Sequence, residues 1–327
     1  MKLIVSSSPH ITSKETTQSI MLKVIIATVP VMIASVLFFG IGSLLRIATS
    51  VIACVAFERG YEKLMKKPIT VSDLSAVVTG VLLAFNVPST MPLWMIVVGA
   101  LVSIVVVKQL FGGIGQNFVN PAITGRIILM VSFPTAMTTW IKPLLWLDKG
   151  AEAVTTATPL TMMTKGGELS DGLPSLVDML IGIRGGSLGE TCAVALIIGG
   201  VYLMIRKIIS PAIPLSFIGT VAVIMLIAGK GDFRFVAYQL LSGGLMLGAF
   251  FMATDYTTSP INLKGRIIFG IGCGLLTSFI RLFGSLPEGV SFSIILMNIL
   301  VPHIEHLTTP KPFGTVKEKK KKGAEKA

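Results

Sequence analysis

The segment Glu152-Ala153-Val154-Thr155-Thr156-Ala157-Thr158-Pro159-Leu160 gathers three threonine hydroxyls in a chain otherwise dominated by apolar runs. A hydroxyl-rich loop of this kind offers a place to attach a cofactor, although Thr, Ala and Pro are also ordinary loop residues. A second candidate is Gly112-Gly113-Ile114-Gly115-Gln116-Asn117-Phe118-Val119-Asn120-Pro121-Ala122. Its glycines would let backbone amides approach an anionic group or a cofactor at the start of a helix capped by Asn120, with Pro121 in the first turn. A turn at the membrane edge would use the same residues. Two carboxylates are candidates for an ion path. Asp73 opens an apolar run beside Ser72, where stabilising a helix N-terminus is the plainer role. Asp255 lies in the polar break Thr254-Asp255-Tyr256-Thr257-Thr258-Ser259-Pro260, where cation binding competes with simple turn formation. Arg126 falls inside an apolar run, where it would pair with an anionic flavin or a carboxylate of another protein chain, or snorkel to the cytoplasmic edge.

The elements that must position these residues are membrane helices. Of the 327 residues, 52% are apolar and 13% charged, against about 25% charged in soluble domains, and the mean hydropathy is +0.82. We expect an all-α polytopic membrane protein. Apolar runs near 20–45, 47–57, 74–86, 93–111, 119–136, 191–205, 212–229, 235–254, 265–281 and 288–302 predict about ten transmembrane helices. The run 47–57 is too brief alone and must borrow neighbours such as Glu58 or Arg59, or be tilted and shielded. Met1 to Ser19 is polar and the first run is longer than a signal h-region, so the first helix is expected to stay as an anchor.

The net charge of +12 does not imply nucleic acid, because the basic residues lie beside helix ends rather than on one soluble face. A cytoplasmic N-terminus puts Lys2, Lys14, Arg59, Lys63, Lys66, Lys67, Lys108, Arg206, Lys207, Lys264, Arg266 and the Lys317–Lys322 tail inside. Arg46, Lys142, Lys149, Lys165, Arg184, Lys230, Arg234 and Arg281 are left outside, a positive-inside asymmetry that makes both termini cytoplasmic and the Thr158 loop external. The expected organisation is a cytoplasmic segment 1–19, a first membrane repeat 20–136, an external loop 137–189, a second repeat 190–302 and a basic cytoplasmic tail 303–327 that can touch anionic lipid. Cys54, Cys192 and Cys273 are odd in number and lie far apart in apolar runs, so no disulfide framework is implied. With His10, His303 and His306 they offer no metal-ligand spacing.

Two stretches echo each other. Leu74-Ser75-Ala76 through Pro92 resembles Leu241-Ser242-Gly243 through Pro260, and Lys108-Gln109-Leu110-Phe111-Gly112 recurs as Ile280-Arg281-Leu282-Phe283-Gly284. With ten helices the halves are related by inversion, an arrangement common in transporters, and inversion gathers broken polar segments such as Asn86–Pro92 and Thr254–Pro260 near a shared axis.

These segments resemble one family. The pattern acid-x-x-[Ser/Thr]-x-Ala-Thr at 152–158 resembles the flavinylation motif of the RnfD/NqrB family, which serves Rnf electron-transport complexes and sodium-pumping NADH:quinone reductases and usually has Asp at the place of Glu152 and Gly at that of Thr156. Ser6-Ser7-Ser8-Pro9-His10, Gly112–Ala122, Ala253-Thr254-Asp255 with Ser259-Pro260, and Pro287-Glu288-Gly289 continuing to Asn298 and Pro302 resemble the same family, which thus covers nearly the whole chain. The absence of a long N-terminal extension favours the Rnf branch. The resemblance implies FMN joined through its phosphate to Thr158 by a separate flavin transferase, with Thr155 and Thr156 hydrogen-bonding that phosphate in an accessible loop, and a second, noncovalent flavin such as riboflavin between the repeats. It also implies a membrane component without catalysis of its own in the inner membrane of a prokaryote, with RnfA, RnfB, RnfC, RnfE and RnfG as partners. Those partners would handle ferredoxin and NAD+, and the complex would export Na+ or H+. A stand-alone solute channel or secondary transporter fits the architecture equally well, and a structural membrane scaffold is a third alternative.

Overall fold

The structure is a computed structural model in which residues 15–147, 155–163, 172–284 and 288–310 are described. Glu152, Ser6 to His10, Pro287 and the Lys317–Lys322 tail lie outside these residues. The first group of helices is α1 (Thr17–Phe39), α2 (Ile41–Leu64), α3 (Ser75–Phe85), α4 (Leu93–Leu101), which continues as a π-helical stretch Val102–Gln109, and α5 (Pro121–Ser132). Short helices α6 (Pro134–Thr138), α7 (Pro159–Met162) and α8 (Leu176–Ile181) follow. The second group is α9 (Ala193–Ile205), α10 (Ala212–Ala228), α11 (Phe233–Leu241), α12 (Leu245–Leu247) with a π-helical stretch Gly248–Met252, α13 (Leu263–Phe283) and α14 (Val290–Thr308). Strand pairing among the described residues is limited to one bridge, Ile141 with Thr155. Helices α1, α2, α13 and α14 are long and apolar enough to cross a membrane, and α11 with α12 and its π stretch forms a fifth candidate bent by 65°. The chain is a multi-pass, all-helical membrane protein.

Each predicted apolar run is helical, but α2 differs from expectation. Instead of a run of about ten residues it is a 24-residue helix, because its charged positions find partners inside the protein. Glu58 is fully buried and accepts from Lys108 Nζ at 2.6 Å, while Arg46 donates to the Met91 and Gly42 carbonyls at 3.0 and 2.9 Å. Lys108 is therefore not a free cytoplasmic charge, and Arg184 and Arg281 are likewise buried rather than scattered on the outer surface. Helix α14 runs on to Thr308, past the expected boundary at 302.

In lipid, helices associate through close packing and polar contacts rather than hydrophobic gain, and small residues set the seams. A Cβ at Gly199 of α9 would lie 2.3 Å from the Ala27 carbonyl of α1, and one at Gly80 of α3 would lie 2.7 Å from Val51 Cα of α2. Ser50 Oγ adds a bond to the Gly80 carbonyl at 2.7 Å.

Helix α3 is only 11 residues, about 16 Å, roughly half the hydrocarbon thickness, so its last carbonyls would be stranded without partners. The chain ahead of α9 folds back to cover them. Gly189 N donates to Phe85 O at 2.9 Å and Leu188 N to Val87 O at 3.1 Å, while Ser35 of α1 holds the Leu188 carbonyl at 2.6 Å. At the end of the second π stretch, the Met252 carbonyl accepts from Asn120 Nδ2 at 3.2 Å. Asn86 Nδ2 lies 3.7 Å from Met252 Sδ, so the two interrupted helices end beside each other in the interior.

Candidate functional site

The candidate residues fall at opposite ends of α1, whose 23 residues span about 33 Å. At the Thr17 end lies a cavity of about 370 Å³, within the range of cofactor pockets. It is lined by the first turns of α1, by Ser75, Thr79 and Leu82 of α3, by Lys108, and by Phe250 and Phe251 of the second π stretch. Asn117, Asn120, Asp255 and Thr257 supply polar groups, so the structure brings three of the sequence candidates together.

Local geometry explains their positions. Gly112, Gly113 and Gly115 have φ of 125°, 102° and 84°, values that side-chain-bearing residues rarely adopt. Gly112 and Gly113 differ from expectation: their N–H groups donate to the Gln109 and Lys108 carbonyls at 3.2 and 3.0 Å, closing the first π stretch instead of facing a ligand, and Gly115 is the glycine that lines the cavity. Asn120 caps α5 through Oδ1, at 3.0 Å from Ala122 N and 3.2 Å from Ile123 N, with Pro121 following as expected. Asn117 Oδ1 accepts from Thr257 Oγ1 at 3.1 Å, and Asp255 Oδ2 accepts from Thr257 and Thr258 at 3.1 and 3.2 Å. Asp73 adjoins the cavity through Ser75, whose N and Oγ donate to its Oδ1 at 2.8 and 2.5 Å. It ties down the start of α3. Lys108 Nζ completes this corner by donating to Ser75 Oγ at 2.6 Å.

The threonine loop lies at the Phe39 end, where Leu144 N donates to Phe38 O and Trp146 Nε1 to Leu37 O. Thr155 is exposed and bridges Ile141, and Thr156 N donates to Trp140 O at 3.0 Å, while the buried Thr156 hydroxyl has no partner among the described residues. Thr158 caps α7 through long contacts, 3.4 Å to Thr161 N and 3.3 Å to Thr161 Oγ1. It is 8% exposed, less open than the sequence suggests. Leu160 and Met163 pack beneath it onto α11 and the Gly243 turn.

Under this loop is a buried polar network that sequence reasoning missed. Arg126 neither snorkels nor waits for another chain: Nη1 donates to Glu190 Oε1 at 2.9 Å and to Asn86 Oδ1 at 2.6 Å, and Nη2 is bonded to Glu288. Arg184 donates to the Thr191 and Glu190 carbonyls, and Arg281 to those of Gln239 and Ser242. A buried guanidinium is best satisfied by carboxylates, but that requirement does not say which ones; Glu288 stood in a segment of family resemblance, and nothing in the sequence pointed to Glu190.

Known proteins share this sequence along almost all of its length. The sequence model of the NQR2, RnfD, RnfE family matches residues 4–314. The D subunit of the Na(+)-translocating ferredoxin:NAD(+) oxidoreductase complex of Acetobacterium woodii is 49% identical over 98% of each chain. The D subunit of the proton-translocating ferredoxin:NAD(+) oxidoreductase complex of Clostridium ljungdahlii is 44% identical over 95% of this chain and 96% of the relative. The D subunit of the ion-translocating oxidoreductase complex of Citrobacter koseri is 35% identical over 95% and 98%. With agreement over nearly its full length, the chain belongs to the NQR2, RnfD, RnfE family.

Proposed function

We propose that this chain is a membrane component of an ion-translocating ferredoxin:NAD+ oxidoreductase and carries FMN as a phosphoester on Thr158. The observation that carries the assignment to such a complex is the end-to-end similarity to three proteins so named. The threonine loop is compatible with the cofactor: the Thr158 hydroxyl makes only long contacts, and two positions earlier the Thr156 hydroxyl has no partner among the described residues, so both are free to serve a phosphate. Because Thr158 is buried, a flavin transferase would act before α7 packs or while it is lifted. Flavin exchanges one or two electrons, which threonine, serine and aspartate cannot do; the protein holds and tunes it. The cavity at the Thr17 end has the size and mostly apolar lining suited to a second, noncovalent flavin such as riboflavin, with Asp255 and Asp73 as candidates for the Na+ or H+ path. Ferredoxin and NAD+ would be handled by other members of the complex.

Two inverted five-helix repeats are supported by the pairing of α1 with α9 and of α5 with α14 across the middle. They are supported also by buried bases that bond at matching serines, Lys108 at Ser75 and Arg281 at Ser242. Arg59, Lys63, Lys66 and Lys67 near the Thr17 end favour a cytoplasmic location for that end and for both termini. In a cysteine-free background, Thr138→Cys is expected to react with an impermeant reagent outside intact cells and Lys66→Cys to be protected; the reverse pattern would invert the orientation.

The attachment itself is tested by in-gel fluorescence and intact mass of the protein made with a flavin transferase. Wild type is expected to carry the added mass of the flavin, Thr158→Ala to lose it while still inserting, and Thr155→Ala to be milder. Fluorescence surviving in Thr158→Ala would disprove the site.

A further inference from the structure

The polar network beneath the threonine loop is electrically unbalanced. Among the described residues it contains Arg126, Arg184 and Arg281 against Glu190 and Glu288, and both carboxylates are engaged by Arg126. Arg281 is 7% exposed and forms no ion pair among the described residues. Its Nη1 donates to Gln239 O at 2.6 Å and lies 3.3 Å from Gln239 Oε1, and its Nη2 donates to Ser242 O at 3.0 Å. Among the described residues its Nε has no partner, and neither does the hydroxyl of the fully buried Ser242. Carbonyl dipoles alone leave a buried guanidinium poorly compensated, because a charge removed from water needs a counter-charge as well as hydrogen bonds.

The loop that carries Thr158 lies against this cation. Gly243 has φ +63° and no side chain; a Cβ there would sit 3.3 Å from Arg281 Nη2 and 3.5 Å from Leu160 Cδ2, two residues after Thr158. A missing anion in this place would lie on the side of the cation against which Leu160, two residues after the acceptor threonine, is packed. The opposite end of the molecule supplies the control, since Lys108 also reaches a serine, donating to the Ser75 hydroxyl where Arg281 donates to the Ser242 carbonyl, but it has Glu58 at 2.6 Å.

We propose that Arg281 is a positioning residue whose counter-ion is the phosphodiester of the flavin joined to Thr158; the inference rests on that attachment. A phosphodiester keeps one negative charge permanently, which suits a permanently charged guanidinium. Arg281 and the Ser242 hydroxyl hold the phosphate, and the flavin is fixed over the network.

The test is a double-mutant cycle on the full-length chain made with a flavin transferase and freed of noncovalent flavin. Thermal midpoints are measured for wild type, Thr158→Ala, Arg281→Gln and the double variant, with fluorescence anisotropy of the attached flavin. Thr158→Ala should lower the midpoint by leaving Arg281 alone, and Arg281→Gln should lower both midpoint and anisotropy. The double variant should be no less stable than Thr158→Ala, because the two losses share one interaction. Arg281→Lys should retain most of the anisotropy. Additive losses with wild-type anisotropy in Arg281→Gln would overturn the proposal. If Arg281→Gln does not fold, the double variant should; failure of both would overturn it equally. A wild-type chain with the mass of bare polypeptide would remove the attachment, and the proposal with it.

Discussion

Lys108 and Arg281 each reach from the far part of a helix to a serine, Ser75 at the start of α3 and Ser242 at the break between α11 and α12, and each is almost entirely buried. Lys108 meets Glu58, which Gln109 also engages at 2.8 Å, so its charge is settled within the first half of the chain. Arg281 meets carbonyls only. One site carries its own counter-charge and belongs to the scaffold; the other, beside the threonine loop, has none among the described residues and is proposed to take it from an added anion. Similar placement with different neutralisation separates a structural cation from one kept for a ligand.

The comparison breaks most readily at the complete site. Glu58→Ala leaves Lys108 as an uncompensated buried charge and should destabilise the protein by about 3–5 kcal/mol, whereas Glu58→Leu combined with Lys108→Met should recover most of the loss. Thermal unfolding in detergent would decide it, and equal damage in both forms would deny that the pair is self-contained. A smaller effect is expected at the serines. Ser75→Ala removes a hydroxyl that accepts from Lys108 and donates to Asp73, with an expected cost of about 1.5–3 kcal/mol. Ser242→Ala removes a buried hydroxyl that has no partner among the described residues, so in a flavin-free Thr158→Ala background the midpoint should stay level or rise. Equal losses at Ser75 and Ser242 would erase the distinction between the two sites.

Much of this was legible in the sequence, for identifiable reasons. Hydropathy located every apolar run because helices facing lipid must be apolar whatever their fold. It failed at the limits of α2, where Arg46 and Glu58 read as boundaries although both find partners inside the bundle. Asn117, Asn120 and Asp255 were visible as polar residues in breaks between helices, and the cavity gathers them. Arg126 was visible, but its partners Glu190 and Glu288 are 64 and 162 positions away, beyond any local pattern. The glycines at 112 and 113 announced a tight turn, yet not that their amides would be spent closing the helix before them.

The backbone of Leu188 and Gly189, which seals the end of α3, also bears on how the molecule is made. The carbonyls it covers are synthesised roughly a hundred residues earlier, so at translation rates of about 5–20 residues per second they wait on the order of 5–20 s inside the bilayer without their permanent partners. Until then water, a neighbouring helix or the insertion machinery must stand in for them. The first five helices are therefore an unfinished unit on the ribosome, and the stretch linking the halves works as a plug that locks them late in biogenesis.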